Sequence, residues 1–413
     1  MGVKKLSFDT TDKLITAGKL HFVVILMCLT MQVIELSDLY RFFAYLNLVF
    51  VLILFPSTFE KDNRSDQKRL LYLLAIPIVF ILLHILAVMH LEYIKEIRRI
   101  TLATFLAIGI WMLAKNSEEY VSRNIFKVTI VILFFYVAVQ SIALWFFNKP
   151  YGTLKNPHYL AFFSAAFLIF AIYAFFKATR YIKWFIVISI LLLGAFVLHS
   201  ASRPTWIGLI FSAILVLFFL EPKLRRYTAV TFVLVLIGLV AFNIGNFSGR
   251  FEALLFHLNT EERAVIWQDA WTLQKSSSIS QWIIGHGLSL SAFEEAFKPY
   301  SQFHLVNNDF NTPHNYFLEI LYASGVIGLL LFLYLIYIIV SRLLQLIKVH
   351  KESKDIYLLL LFMLTTNLIT VSITVPFTSS YNLMMIAMLV GIMLYLRESA
   401  SRQKLSSVQK QNK

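Results

Sequence analysis

Apolar residues run along this chain in long blocks separated by short polar segments, with no alternation of period two. Such blocks approach the ~20 residues that a helix needs to cross the hydrocarbon of a bilayer. A closed barrel would read instead as short alternating segments. About twelve spans are predicted, at 20–37, 42–57, 70–89, 99–114, 125–147, 158–176, 181–199, 205–220, 227–243, 316–340, 356–373 and 379–396. Between Asn243 and Asn315 the apolar blocks stop. This polar stretch closes on Thr312-Pro313-His314-Asn315, and a long apolar helix follows at once. The pattern predicts an all-α polytopic integral membrane protein in three regions. Transmembrane helices occupy 1–243. A loop domain with short amphipathic helices occupies 244–315. The last helices and a polar tail occupy 316–413.

Composition agrees with this. Of 413 residues, 59% are hydrophobic, more apolar surface than a soluble chain of this length could hide. The net charge of +14 would raise nucleic acid in a soluble protein. Here it reads as basic residues in cytoplasmic loops, facing anionic headgroups. The one cysteine, Cys28, excludes an intrachain disulfide and a cysteine-based metal site. Lys4, Lys5, Lys13 and Lys19 precede the first apolar block, and no small-residue cleavage site is evident, so the N-terminus reads as a signal anchor.

Charge also sets the expected orientation. With the N-terminus inside, inner segments hold 26 of the 37 Lys and Arg residues. That bias favours both termini inside and puts the long loop 244–315 outside. One loop dissents. Lys95, Arg98 and Arg99 fall outside, partly offset by Glu92 and Glu96.

On this topology the sixth, eighth and tenth spans all run inward from the outer face. Each begins at a proline: Asn156-Pro157-His158, Ser202-Arg203-Pro204 and Thr312-Pro313-His314. Proline suits the first helical turn, and Thr312 is expected to cap the third helix. Three helix N-termini on one face also offer N–H groups and positive dipole ends to an anion. Arg203 sits in a short turn crowded by Ser200, Ser202 and Thr205. It either snorkels to the interface or holds an anion, and its fork suits phosphate oxygens. His314 is expected in the first helical turn, where a positive helix end keeps imidazole neutral and able to accept a proton. The bland alternative is an interfacial hydrogen bond. Arg263 opens an amphipathic segment whose stripe is Ile266, Trp267, Ala270 and Trp271, with Asn259 and Glu262 at capping-box spacing. It is either a surface arginine or a second phosphate ligand. Gly285-His286-Gly287 reads as a turn. Lys155, His158 and His199 are weaker candidates. No His-Glu-x-x-His pair, paired acidic motif or glycine phosphate loop occurs, so no metal, cofactor or ATP-driven cycle is predicted.

These residues together resemble the O-antigen ligase and polymerase superfamily of bacterial envelope glycosyltransferases. The pieces that carry the resemblance are Asn156-Pro157-His158-Tyr159-Leu160-Ala161, the Ser202-Arg203 turn, Arg263 ahead of Trp267, Gly285-His286-Gly287, and Pro313-His314-Asn315 followed by Ala323-Ser324-Gly325-Val326-Ile327-Gly328-Leu329-Leu330. Pro204 departs from the pattern, which has a small residue after the arginine. The resemblance implies a GT-C-like fold in the bacterial inner membrane, with a periplasmic loop domain and a cytoplasmic tail. It implies metal-independent, inverting transfer of polysaccharide from undecaprenyl diphosphate to a sugar hydroxyl of the lipid A–core. His314 would be the base, and Arg203 and Arg263 would hold the diphosphate. Lys155, Asn156, His158, Ser202 and Asn315 would bind substrate. O-antigen polymerase, protein O-oligosaccharyltransferase and a lipid-linked oligosaccharide flippase are the competing readings.

Overall fold

The structure, a computed structural model, describes residues 5–58, 64–88, 94–220, isolated positions of 222–237, then 262–302, 312–349, 351 and 354–411. The span expected at 227–243 lies outside these residues but for isolated positions. So do Asn259 of the expected capping box and the loop residues 244–261 and 303–311. Among the described residues there is no strand. The helices are α1 (Lys5–Val33), α2 (Ser37–Thr58), α3 (Arg64–Val88), α4 (Ile94–Asn116), α5 (Glu118–Ser141), α6 (Pro157–Lys177), α7 (Arg180–His199), α8 (Arg203–Leu217), α9 (Glu262–Lys275), α10 (Ile279–Ile284), α11 (Leu290–Phe297), α12 (Tyr316–Val349), α13 (Lys354–Ser372) and α14 (Ser380–Gln411). A π-helical turn, Ile142–Phe146, ends α5.

Among these residues, ten helices are long and apolar enough to cross a membrane. The chain is an all-α polytopic membrane protein. The eighth expected span is instead a short apolar helix, α8, with 15 residues, below the ~20 needed to cross unaided. Glu96 is buried and lies 3.9 Å from Arg99, so part of the dissenting basic loop is neutralised locally.

The helices fall into two compact units. The first comprises 1–81, 94–136 and 380–413. Within it α1, α2 and α4 pack on one another and α14 lies along α4. At the heart of this apolar packing His21 Nε2 meets Asn47 Oδ1 at 3.0 Å, and Arg69 and Lys115 both face Glu398.

The second unit comprises 82–93 and 137–379. Here α6 packs on α7 and α13, and α13 on α8 and α12. Thr365 Oγ1 donates to Ser212 Oγ at 2.6 Å, tying α13 to α8. Such small polar contacts hold helices where apolar burial gives little drive against lipid. The stripe expected on α9 is largely buried inside this unit: Ile266, Ala270 and Leu273 pack with Phe293 and Phe297 of α11 and Tyr322 of α12. Trp267 packs against the same cluster, and Trp271 is partly exposed, edge-on to Trp282.

Candidate functional site

All the charged and titratable candidates lie in the second unit, starting with the beginning of α6. Asn156 is extended (φ −145°, ψ 138°), and its side-chain oxygen accepts from His158 N at 2.7 Å, with Pro157 in the first helical turn. His158 is thereby fixed at the top of the helix. Its Nε2 lies 3.1 Å from Arg263 Nη2, and its Nδ1 lies 3.1 Å from Ser202 Oγ. A guanidinium only donates, so Nε2 must offer its lone pair. The ring is then neutral, with its proton on Nδ1 directed to Ser202.

Ser202 occupies the N-cap position of α8, yet its hydroxyl makes no cap bond. It takes a hydrogen from Thr205 Oγ1 at 3.0 Å and the one from His158 instead. The turn between α7 and α8 is tight. Ala201 has φ 51°, a left-handed conformation costing an L-residue about 1–2 kcal/mol. Ser200 Oγ donates to Val197 O at 2.7 Å and steadies it. Arg203 follows Ser202 in the first turn of α8, half-buried, ahead of buried Pro204. His199 points its Nε2 to Pro150 O at 3.1 Å. Lys155 is exposed, one residue before the α6 cap.

Arg263 stands in the first turn of α9 and lies close enough to His314 to act on its charge. His314 is held below the ordinary histidine pKa, first by burial and then by the Arg263 charge. A hydrogen bond from its ring to the Thr374 backbone carbonyl opposes this in part. Arg263 thus faces two imidazoles, one at the start of α6 and one ahead of α12.

The local geometry of His314 corrects the reading from sequence. It has φ 49° and precedes the helix, which starts at Tyr316. Asn315 caps α12 in place of Thr312: its Oδ1 accepts from Phe317 N at 3.0 Å and Leu318 N at 3.3 Å. The left-handed His314 breaks the helical path, so a cap further upstream could not reach the first helical amides. Thr312 Oγ1 instead accepts from His314 N at 3.4 Å and donates to Glu319 Oε2 at 3.1 Å. The side-chain oxygens of Asn156 and Asn315, both expected to bind substrate, are engaged at helix ends.

The Gly285-His286-Gly287 and Ala323-Ser324-Gly325 segments meet each other. α12 is interrupted at Gly325 (φ 64°, ψ −169°), and Gly285 is similar (φ 84°, ψ −171°). Only glycine adopts this region readily. The break releases carbonyls of α12, and the loop takes them: His286 N donates to Tyr322 O at 2.8 Å and Gly287 N to Ala323 O at 2.9 Å. A Cβ on Gly325 would collide with the Ile283 carbonyl, and one on Gly285 with Ala323. The His286 ring stacks on Tyr322 at 4.2 Å and meets Ser277 Oγ at 2.8 Å. Burial holds its pKa below the ordinary value. His84, which no motif singled out, accepts from Leu288 N at 2.8 Å.

Residues 188–333 match the family model described as O-antigen ligase. Across these residues the chain is similar to that family. The matched segment contains Ser202, Arg203, Arg263, the glycine-flanked His286, His314 and Gly325. It does not contain His158 or Thr374, which only folding brings to it. The similarity supports O-antigen ligase- or polymerase-type function in general. Among curated proteins, no match is found.

Proposed function

We propose that the protein is an O-antigen ligase proper. It transfers polysaccharide from undecaprenyl diphosphate to a sugar hydroxyl of the lipid A–core, at the periplasmic face of the bacterial inner membrane. The observation that carries this reading is the placement of Arg263 between His158 and His314.

His314 is the base. A neutral imidazole that donates from one nitrogen carries its lone pair on the other, and burial beside a cation favours that neutral form. As His314 takes the proton, the acceptor oxygen bonds to the anomeric carbon and the bond from that carbon to the diphosphate breaks, with inversion. Undecaprenyl diphosphate departs with the bonding electrons, and Arg263 and Arg203 hold its charge. His158 and Ser202 set the direction of the Arg263 guanidinium, and Lys155 lies on the approach for the anionic carrier. The leaving group is already good, so the reaction needs neither metal nor nucleotide. The excess of basic residues in the expected inner segments supports the outward placement of the site.

The test is transfer by purified protein in detergent, from a defined lipid-linked glycan to lipid A–core. Product formed without a membrane to cross excludes a flippase as the whole function. Arg203→Ala and His314→Ala each abolish transfer while the protein stays inserted, and Arg203→Lys restores little. In cells lacking the protein, long chains stay on the lipid carrier and capped lipopolysaccharide is lost. A single repeat unit left on the core would make it a polymerase instead.

A further inference from the structure

Glu319 is a buried acid in the first turn of α12 and the one acidic residue of that helix, and none of the candidate chemistry uses it. A carboxylate at a helix N-terminus commonly serves that helix's own dipole. This one turns to other chain segments. Phe377 N donates to its two oxygens, each at 2.9 Å, and Thr378 N donates as well. Thr312 Oγ1 supplies a further hydrogen at 3.1 Å.

The direction of the Thr312 bond follows from chemistry. His314 N can only donate, so Thr312 Oγ1 accepts there with a lone pair and turns its own hydrogen to Glu319. The Phe377-Thr378 amides belong to the turn after α13 that also holds Thr374, whose carbonyl receives the His314 ring hydrogen. Glu319 therefore grips both sides of His314: the backbone through Thr312, and the ring acceptor through the 374–378 turn.

Resting on the base role given to His314 above, we propose that Glu319, acting through Thr312 and the 374–378 turn, is a positioning residue that aims the His314 ring at the acceptor hydroxyl. It touches no reacting atom. Its loss lowers the chemical step and leaves donor binding nearly intact.

The experiment is steady-state transfer by the purified full chain, with folding checked by thermal unfolding in detergent. Wild type active and His314→Ala inactive is the reference; failure there overturns the functional reading and not the grip. Given that reference, Glu319→Gln lowers kcat roughly tenfold or more, with donor KM within about twofold. Should Glu319→Gln not fold, the Thr312 pair decides. Thr312→Val loses kcat in the same way, and Thr312→Ser, which keeps the hydroxyl, recovers most of it. Glu319→Gln with Thr312→Val is no worse than the poorer single variant, because the two act along one path. Wild-type kcat in Glu319→Gln, a Thr312→Ser as poor as Thr312→Val, or fully additive losses would overturn the proposal.

Discussion

Replacing His158 with alanine removes the acceptor that faces Arg263 Nη2 at 3.1 Å. A hydrogen bond to a charged group contributes about 1.5–3 kcal/mol. If Arg263 meets the leaving diphosphate only when so aimed, that energy comes off transition-state binding. At about 1.4 kcal/mol per factor of ten, kcat/KM should fall roughly ten- to hundredfold. The loss is bounded by that of Arg263→Ala, since His158 acts through Arg263. His158→Gln offers an amide oxygen and should recover part of the rate, whereas His158→Lys sets two cations together and should be worse than alanine. The assay is transfer from a defined donor to lipid A–core, with each variant also tested in the Arg263→Ala background. Wild-type kcat/KM in His158→Ala would refute the reasoning. So would a His158→Ala loss that persists undiminished once Arg263 is already gone.

Two further outcomes follow from the same geometry. A base must be deprotonated, so activity should rise as pH climbs through the His314 pKa, which burial and the Arg263 charge hold below the ordinary histidine value; Arg263→Gln removes a charge that depresses it, so the acid limb of the residual kcat/KM profile should move to higher pH, and a fixed or lowered limb would contradict the assignment. Gly325→Ala should cost about 1–3 kcal/mol from backbone strain alone, before its collision with Ile283; a drop in detergent melting temperature checks this, and an unchanged value would mean that α12 can straighten.

Ten of the twelve expected spans were legible because hydrocarbon thickness imposes a length and a composition. Asn156 and Pro157 were legible as a helix start, since capping is local. What failed depended on contacts across sequence. Thr312 has the chemistry of a cap, and only the left-handed backbone of His314 hands that task to Asn315. His158 reads alone as one more ring at an interface; its value lies in a partner 105 residues away. Glu319 could have been noticed as a lone acid five residues after His314 in an apolar helix. Its backbone partner Phe377, beyond α13 in the chain, could not. Gly285-His286-Gly287 reads in sequence as a turn; it is an irregular loop whose amides go to α12, and nothing in its own residues points to the break in α12 that it fills.

That interlock ties together Gly285, in the loop after α10, and Gly325, in α12, each glycine because backbone beside the other occupies the space a side chain would need. In related chains the two positions should therefore be inherited as a pair, gained or lost together. A lineage that straightens the long helix by acquiring a side chain at one of them is released from keeping glycine at the other.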